Sequence, residues 1–460
     1  MMSRLAGLTD RRAGLVLLGI FVLLELLLVA GADGTCMVPG SDCSIQTDRY
    51  GFRQATAFLN QRSLVDIEDF TQPYTQHPPG YALLMAASFA VFGASTYLPI
   101  ILLQLTLLIA TAALTYYIAE SVVPGYGLVA AALILLNPNI VPNVNITQTV
   151  AIEMFFLTSA FAAAVRYLES ARLGWAMACG ALIGVAMMVR PSAQIIAFIL
   201  PVLFPLLNLF AEFGRAQWRT AILASALATA AAFVVIAPWA FHQLEAGEGL
   251  RLSSARSEHL ILEDSLRYLT PGLLGRFDPN AETSYAVQET ETLRETYASW
   301  DDFSPVEQGR IRRSFIVSYY LSFPFHVTDF AIALVKSWTS FSVGGGEGMM
   351  HRWLGMEQQP DRSPGIFYGT KTAAIGFSVL FRLLGIVGLI AMVMRRHYSM
   401  LLLTTGLVFA YVAGAFLVGQ PRYRVPVEPA LAIMAVYGVA FLHAYFRAYI
   451  ARAQSAAKPR

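Results

Sequence analysis

The chain has 460 residues, of which 56% are apolar and only 13% charged, where an ordinary soluble domain carries about a quarter. Mean hydropathy is +0.55, and 32 Lys+Arg against 30 Asp+Glu leave a net charge of +2. These figures exclude a soluble enzyme, a disordered chain and a nucleic-acid binder with a basic face, and leave a polytopic membrane protein. The apolar runs are continuous rather than alternating, so they read as helices and not as barrel strands. Each is near the length that crosses about 30 Å of hydrocarbon.

The first run, Gly14–Ala30, follows Arg4, Arg11 and Arg12. Small residues at Ala30–Ala32 would suit signal cleavage, but the length of the run and the spans behind it favour an uncleaved anchor with a cytoplasmic N-terminus. Further spans are expected at Tyr97–Ile118, Tyr126–Val141, Val150–Leu168, Leu173–Met188, Ala193–Phe210, Ala221–Ala240, Phe377–Met394, Leu401–Val418 and Ala430–Tyr445. The expected fold is therefore all-α and integral to the membrane, with about ten transmembrane helices. Alternating them puts Arg166, Arg172, Arg215, Arg219, Arg395, Arg396 and the tail with Arg447, Arg452, Lys458 and Arg460 on the cytoplasmic side, as basic residues prefer. That pattern holds if two shorter stretches, Tyr81–Phe92 and Phe323–Val335, lie along the outer surface as juxtamembrane helices.

Three divisions follow. Residues 1–240 form a transmembrane module carrying a long first outside loop, 31–99. Residues 241–376 form an exoplasmic loop and juxtamembrane region, and 377–460 the last transmembrane helices with a cytoplasmic tail. Cytoplasmic loops are short, so the chemistry is expected outside, at the plasma (inner) membrane. Cys36 and Cys43 in the first outside loop either close a small disulfide ring or remain two thiols. Cys179, within a span, reads as a packing residue. No CxxC, HExxH, Walker loop or dinucleotide fingerprint is present, and Gly344–Gly346 reads as a flexible turn. Asn145-Ile146-Thr147 matches a glycosylation acceptor, a pattern short enough to arise by chance.

Several polar residues need explanation. Asp48 precedes an amphipathic stretch with Phe52, Thr56 and Leu59 at helical spacing. It either caps that helix or takes part in chemistry. Gln76-His77-Pro78-Pro79-Gly80-Tyr81 ends the loop with a stiff turn, where His77 is an ordinary loop histidine or a phosphate donor. Asn137-Pro138-Asn139 to Asn145 marks a non-helical turn. Glu153 lies one turn inside the following span, where a carboxylate either snorkels or has a task. Arg190-Pro191-Ser192 joins two spans, and Pro421-Arg422-Tyr423-Arg424-Val425-Pro426 opens the last one. Arg382 lies inside a span, and Glu25, in the first span, is a candidate partner for it.

Arginine holds phosphate through a bidentate fork, and a carboxylate beside an anion site can take a proton from an incoming hydroxyl. The set suits transfer of a group from a phosphate leaving group to a hydroxyl at the outer membrane surface. A lipid phosphate carrying a sugar is the donor that such a location implies. The main rivals are a secondary transporter and a lipid-linked glycan flippase. The chain has no internal repeat and its polar residues collect at one face, which counts against transport.

Asp48-Arg49-Tyr50, His77-Pro78-Pro79-Gly80-Tyr81 with Phe92-Gly93-Ala94, Glu153, Met188-Val189-Arg190-Pro191 and Arg422-Tyr423-Arg424-Val425-Pro426-Val427-Glu428-Pro429, in that order, resemble the GT-C membrane glycosyltransferases. The likeness is to the dolichyl-phosphate-mannose–protein mannosyltransferases and the aminoarabinose transferases of lipid A, over roughly Leu15 to Leu442, with 241–376 poorly matched. The resemblance implies that Asp48 is the general base on the acceptor hydroxyl, that Glu153 is the second acid, and that Arg190, Arg422 and Arg424 hold the donor phosphate. His77, Arg49, Tyr423 and Arg382 are further candidates for that phosphate site. It also implies an inverting displacement on a polyprenyl-phosphate sugar, with a glycan, lipid or protein as acceptor and no nucleic acid involved. Where the family often has Asp-Glu, this chain has Asp48-Arg49, so a divalent cation held by paired acids is in doubt. No other cofactor is implied.

Overall fold

A computed structural model describes residues 2–31, 49–65, 73–210, 218–247, 249–250, 252, 285–300, 364–415 and 421–456, with isolated positions between 303 and 339. The described residues form fourteen α-helices, in chain order: α1 Met2–Gly31, α2 Arg49–Gln61, α3 Gly80–Phe92, α4 Leu98–Val122, α5 Gly127–Leu135, α6 Val141–Val144, α7 Val150–Ser170, α8 Leu173–Val189, α9 Gln194–Leu209, α10 Trp218–Glu245, α11 Tyr285–Thr296, α12 Pro364–Met394, α13 Tyr398–Ala415 and α14 Glu428–Ala456. Among the described residues β-pairing is limited to an isolated antiparallel bridge, Val65 with Pro73.

Seven of these segments are long and apolar enough to cross a membrane: Arg12–Ala30, Leu98–Val122, Val150–Ser170, Pro191–Leu209, Trp218–Glu245, Tyr368–Met394 and Val425–Arg452. The chain is a multi-pass membrane protein. Two more expected spans are helices of 17 and 18 residues, α8 and α13. The expected span Tyr126–Val141 is different. Its helix, α5, has 9 residues and is about 14 Å long at 1.5 Å per residue, half of the hydrocarbon thickness. Asn137-Pro138 cannot continue it, because the proline ring disfavours a helical residue before it. Tyr81–Phe92 is the 13-residue helix α3, about 20 Å long and too short to cross. Phe323–Val335 lies outside the described residues except for Val335.

Burial ranks the helices. The apolar windows of α7 and of Val425–Arg452 are 78% and 83% buried, whereas that of α1 is 11% buried, so α7 and α14 form the core and α1 lies at the rim. Close backbone approach at small residues makes the tightest pairs. A Cβ on Gly388 of α12 would strike the Met434 carbonyl of α14, and one on Gly438 would strike the Leu384 carbonyl. Gly180 of α8 meets the Ala228 carbonyl of α10 in the same way. With lipid as apolar as the side chains, such close approach is what drives helices together. Two prolines, Pro201 and Pro205, sit inside α9, and the Phe204 amide between them donates to Ser225 Oγ of α10 at 3.2 Å, a substitute for a strained intrahelical bond.

The turn 137–148 is buried, and its asparagines replace the missing backbone ladder. Asn137 Oδ1 accepts from the Asn139 amide at 2.9 Å and from Asn139 Nδ2 at 3.0 Å. Asn143 Nδ2 donates to the Asn139 carbonyl at 2.7 Å. Gln104 of α4 donates to the Val144 and Ile146 carbonyls at 2.7 and 2.8 Å. Short amide side chains suit this role because they reach their own backbone. Helix α2 matches the expected amphipathic stretch. Ala55 is fully buried, and Phe52 meets Phe89 and Tyr97 edge-on at 5.7 and 5.9 Å.

Candidate functional site

The bundle has two chemically distinct ends. At one end lie the N-termini of α4, α7 and α14 and the C-termini of α5, α8, α10 and α13. The other end carries the contacts Tyr117–Glu169, Tyr126–His443 and His397–Tyr437. Arg166, Arg172, Arg219, Arg395 and Arg396 sit at the ends of helices there, and Arg447 and Arg452 follow beyond His443.

At the first end Glu153 is fully buried, and both of its oxygens accept hydrogen bonds. Arg190 Nη1 reaches Oε2 at 3.3 Å, Ser192 Oγ donates to Oε1 at 2.7 Å, and the Tyr411 hydroxyl donates to Oε1 as well. Arg190 ends α8, where Pro191 forces an extended residue before it. Its guanidinium then lies over the Tyr423 ring at 4.4 Å, and that of Arg422 lies 5.2 Å from the same ring. Tyr423 thus joins two cations that would otherwise repel, using the negative faces of its ring.

The second carboxylate is Glu428. It is fully buried and takes Arg424 Nε at 2.6 Å and Arg382 Nη2 at 2.8 Å on the same oxygen, with Asn137 Nδ2 at 3.3 Å on the other. The pairing of Glu25 with Arg382 is therefore corrected. Arg382 belongs to Glu428, because α12 and α14 are in backbone contact at Gly388 and Gly438. Glu25 instead accepts from Asn145 Nδ2 at 2.7 Å.

The two clusters, adjacent along the chain at Tyr423-Arg424, together hold Arg190, Arg382, Arg422 and Arg424 against Glu153 and Glu428, two more guanidiniums than carboxylates. Two of its N–H groups, Arg382 Nη1 and Arg422 Nε, are buried with no hydrogen-bond partner among the described residues. A buried donor without a partner costs about 1–3 kcal/mol, more when charged, unless something accepts from it.

His77 stands beside this network. Gly80, at the start of α3, lies so close to α8 that an added Cβ would be 2.5 Å from the Met188 carbonyl, two residues before Arg190. His77 is open to solvent on one side yet ringed by protein. That enclosure, and then the charge of Arg190, hold its pKa below the ordinary 6.5. Its imidazole is neutral at pH 7.

Below Glu153, starting one turn further along α7 at Leu157, an apolar cleft opens between α7, α8, α9 and α13. Leu157, Phe161, Ile196, Leu203, Leu403 and Leu407 line it. Polar groups cap an oily slot, an arrangement that fits an amphiphile with an anionic head.

Of the residues singled out in the sequence, Glu153, Arg190, Arg422 and Tyr423 come together through direct contacts, Arg382 and Arg424 meet on Glu428, and His77 lies within the field of Arg190. Arg49 opens α2. Asp48, Cys36 and Cys43 lie outside the described residues. Among the described residues no three His, Cys, Asp or Glu gather as a metal site. Sequence reasoning missed Tyr411 and did not single out Glu428. The spacing of Arg424 and Glu428, four residues apart, was a signal for the latter.

The fold is similar to that of a solved archaeal oligosaccharyltransferase, and part of the chain matches a family model. Residues 76–242 match the model for dolichyl-phosphate-mannose-protein mannosyltransferase. The oligosaccharyltransferase AglB of Archaeoglobus fulgidus, solved with an inhibitory peptide and a dolichol-phosphate, aligns over 96% of this chain at 13% identity and TM-score 0.50. Its apo form aligns with TM-score 0.51, also at 13% identity and over 96% of this chain. In both cases this chain spans about half of the AglB chain, 52%, and the likeness is one of fold. A weaker likeness, TM-score 0.42 at 14% identity over 92% of this chain and 78% of the other, is to ArnT of Cupriavidus metallidurans in the apo state. By sequence alone no curated protein matches.

Proposed function

We propose that this protein transfers a sugar from a polyprenyl-phosphate-linked donor to an acceptor hydroxyl at the exoplasmic face of the inner membrane, with inversion. The observation that carries the reading is the surplus of two guanidiniums with two unpartnered buried N–H groups at one end of the bundle. A phosphodiester donor brings one negative charge, and the departing polyprenyl phosphate gains a second. The surplus matches the charge that develops, which is how a fixed electrostatic site lowers a barrier. The apolar cleft below Glu153 has the chemistry of a polyprenyl tail. The opposite end bears Arg166, Arg172, Arg395 and Arg396, and the preference of basic residues for the cytoplasm supports an outside location for the candidate site. The match of residues 76–242 to the mannosyltransferase family favours the same chemistry.

In this mechanism the acceptor oxygen attacks the anomeric carbon as its proton passes to Asp48. The bond from carbon to the phosphate oxygen breaks, and its electron pair leaves with the phosphate. Arg190 and Arg422 receive that charge. Glu153, engaged by Arg190, Ser192 and Tyr411, holds Arg190 in place. Glu428 does the same for Arg382 and Arg424, and His77 stands neutral beside Arg190. The reading is tested with purified protein, a polyprenyl-phosphate sugar and a cell-envelope acceptor fraction. Asp48→Asn should lose about 10² to 10⁴ in rate while staying folded, and undiminished transfer by that variant refutes the assignment. Sugar accumulation inside vesicles without release of polyprenyl phosphate would favour transport instead.

A further inference from the structure

The end of α10 touches both outer regions of the chain. His242 Nε2 lies 2.8 Å from the Tyr74 carbonyl, and Gln243 Nε2 donates to the Thr75 carbonyl at 2.7 Å. A carbonyl only accepts, so His242 must carry its proton on Nε2. The His242 ring is stacked on Trp239 at 5.1 Å and 20°. Trp239 in turn packs on Tyr74 at 6.3 Å and donates through Nε1 to the Leu252 carbonyl at 2.7 Å. Gln243 and Trp239 are buried, as is Tyr74.

These two carbonyls lie just before His77. Five residues later the chain is fixed again, where Gly80 abuts the Met188 carbonyl. Between the anchors Pro78 and Pro79 are buried and conformationally stiff. A short segment pinned at both ends and braced by two prolines has little freedom, so the exposed His77 stays where its neighbours hold it, beside Arg190.

We propose that His242 and Gln243 are positioning residues, a clamp that sets the last turn of the first outer loop and so fixes the place of His77 near the α8 end that carries Arg190. The inference deepens the reading given above and rests on it only for its effect on transfer. Because Trp239 of the same helix end holds the Leu252 carbonyl, the clamp also ties the two outer regions to one support.

The clamp is tested in the full-length protein in detergent micelles. His242→Phe keeps a ring on Trp239 but removes the donor, Gln243→Leu keeps the volume but removes the amide, and His242→Gln restores an N–H near the Nε2 position. The first readout needs no activity: carbethoxylation of His77 against pH, followed by mass spectrometry of its peptide. Burial, and then the charge of Arg190, lower the His77 titration, so release from that place should move the reaction midpoint up, toward the ordinary histidine value of about 6.5. His242→Phe and Gln243→Leu should both shift it upward, and His242→Gln should restore it. The second readout is transfer. A loop misplaced by about 1 Å should cost roughly 10- to 100-fold in rate, again restored by His242→Gln. Unchanged His77 midpoints in both variants overturn the clamp. Shifted midpoints in a protein with no transferase activity would uphold the clamp and count against the proposed function.

Discussion

Glu428 is the place where charge accounting makes the sharpest demand. Its buried carboxylate faces two guanidiniums on a single oxygen, Arg424 at 2.6 Å and Arg382 at 2.8 Å. Arg424 is 1% exposed in its side chain, Arg382 18%, so the trio carries one surplus positive charge in a poorly solvated place. In Glu428→Gln that surplus becomes two. Cations sharing one oxygen sit roughly 5 Å apart, and at an effective dielectric of about 20 they repel by about 3 kcal/mol. Removing the partner of a buried pair costs about 3–5 kcal/mol by itself. In Arg382→Gln, by contrast, Glu428 and Arg424 remain as a neutral pair, and the loss is one charge-assisted hydrogen bond, about 1.5–3 kcal/mol. The double variant keeps one cation without its carboxylate but no cation–cation repulsion. Thermal unfolding midpoints in micelles should therefore fall most in Glu428→Gln, least in Arg382→Gln, with the double variant between them. The rescue of one lesion by a second is the decisive outcome. A Glu428→Gln protein as stable as wild type, or made worse by adding Arg382→Gln, would refute the reasoning.

Three other outcomes follow from the same geometry. Arg422→Gln should weaken polyprenyl phosphate binding by roughly 10- to 100-fold, the worth of one charge-assisted bond, as measured by equilibrium binding in micelles. The native pKa of His77 lies below 6.5, so as pH falls through 6.5 the unfolded chain takes a proton that the native site refuses. Stability then drops between 6.5 and the lower native value, and the difference between wild type and His77→Gln in unfolding midpoint against pH should be confined to that window. Gly388→Leu should prevent recovery of folded protein, because its Cβ would meet the Met434 carbonyl where α12 and α14 touch; size-exclusion profiles report this directly.

Much of the fold was legible in hydropathy alone, because a membrane span must be a continuous apolar helix. Leu98–Val122, Val150–Ser170 and Trp218–Glu245 each cover an expected span. Tyr126–Val141 was not legible as a whole, since the apolar composition runs on past Asn137-Pro138 while the helix stops at Leu135. The ingredients of the candidate site were also readable, as arginines and acids are rare in such a chain and so stand out. Their pairing was not. Glu153 meets Tyr411 across 258 positions and Glu428 meets Asn137 across 291, contacts that exist only through helix packing. Arg382 drew Glu25 as its partner because both are isolated charges in spans. The glycine contacts that bring α12 onto α14, and hence Arg382 onto Glu428, carry no charge signal.

The central claim is that the lipid phosphate sits at the Glu153 and Glu428 end of the bundle. The most direct measurement is photolabelling of the full-length protein in vesicles with a polyprenyl phosphate bearing a diazirine next to its phosphate. The account predicts label on the segments around His77, Arg190 and Arg422, displaced by unlabelled polyprenyl phosphate and reduced by Arg422→Gln. Label concentrated instead around Arg166, His397 and His443 would contradict it.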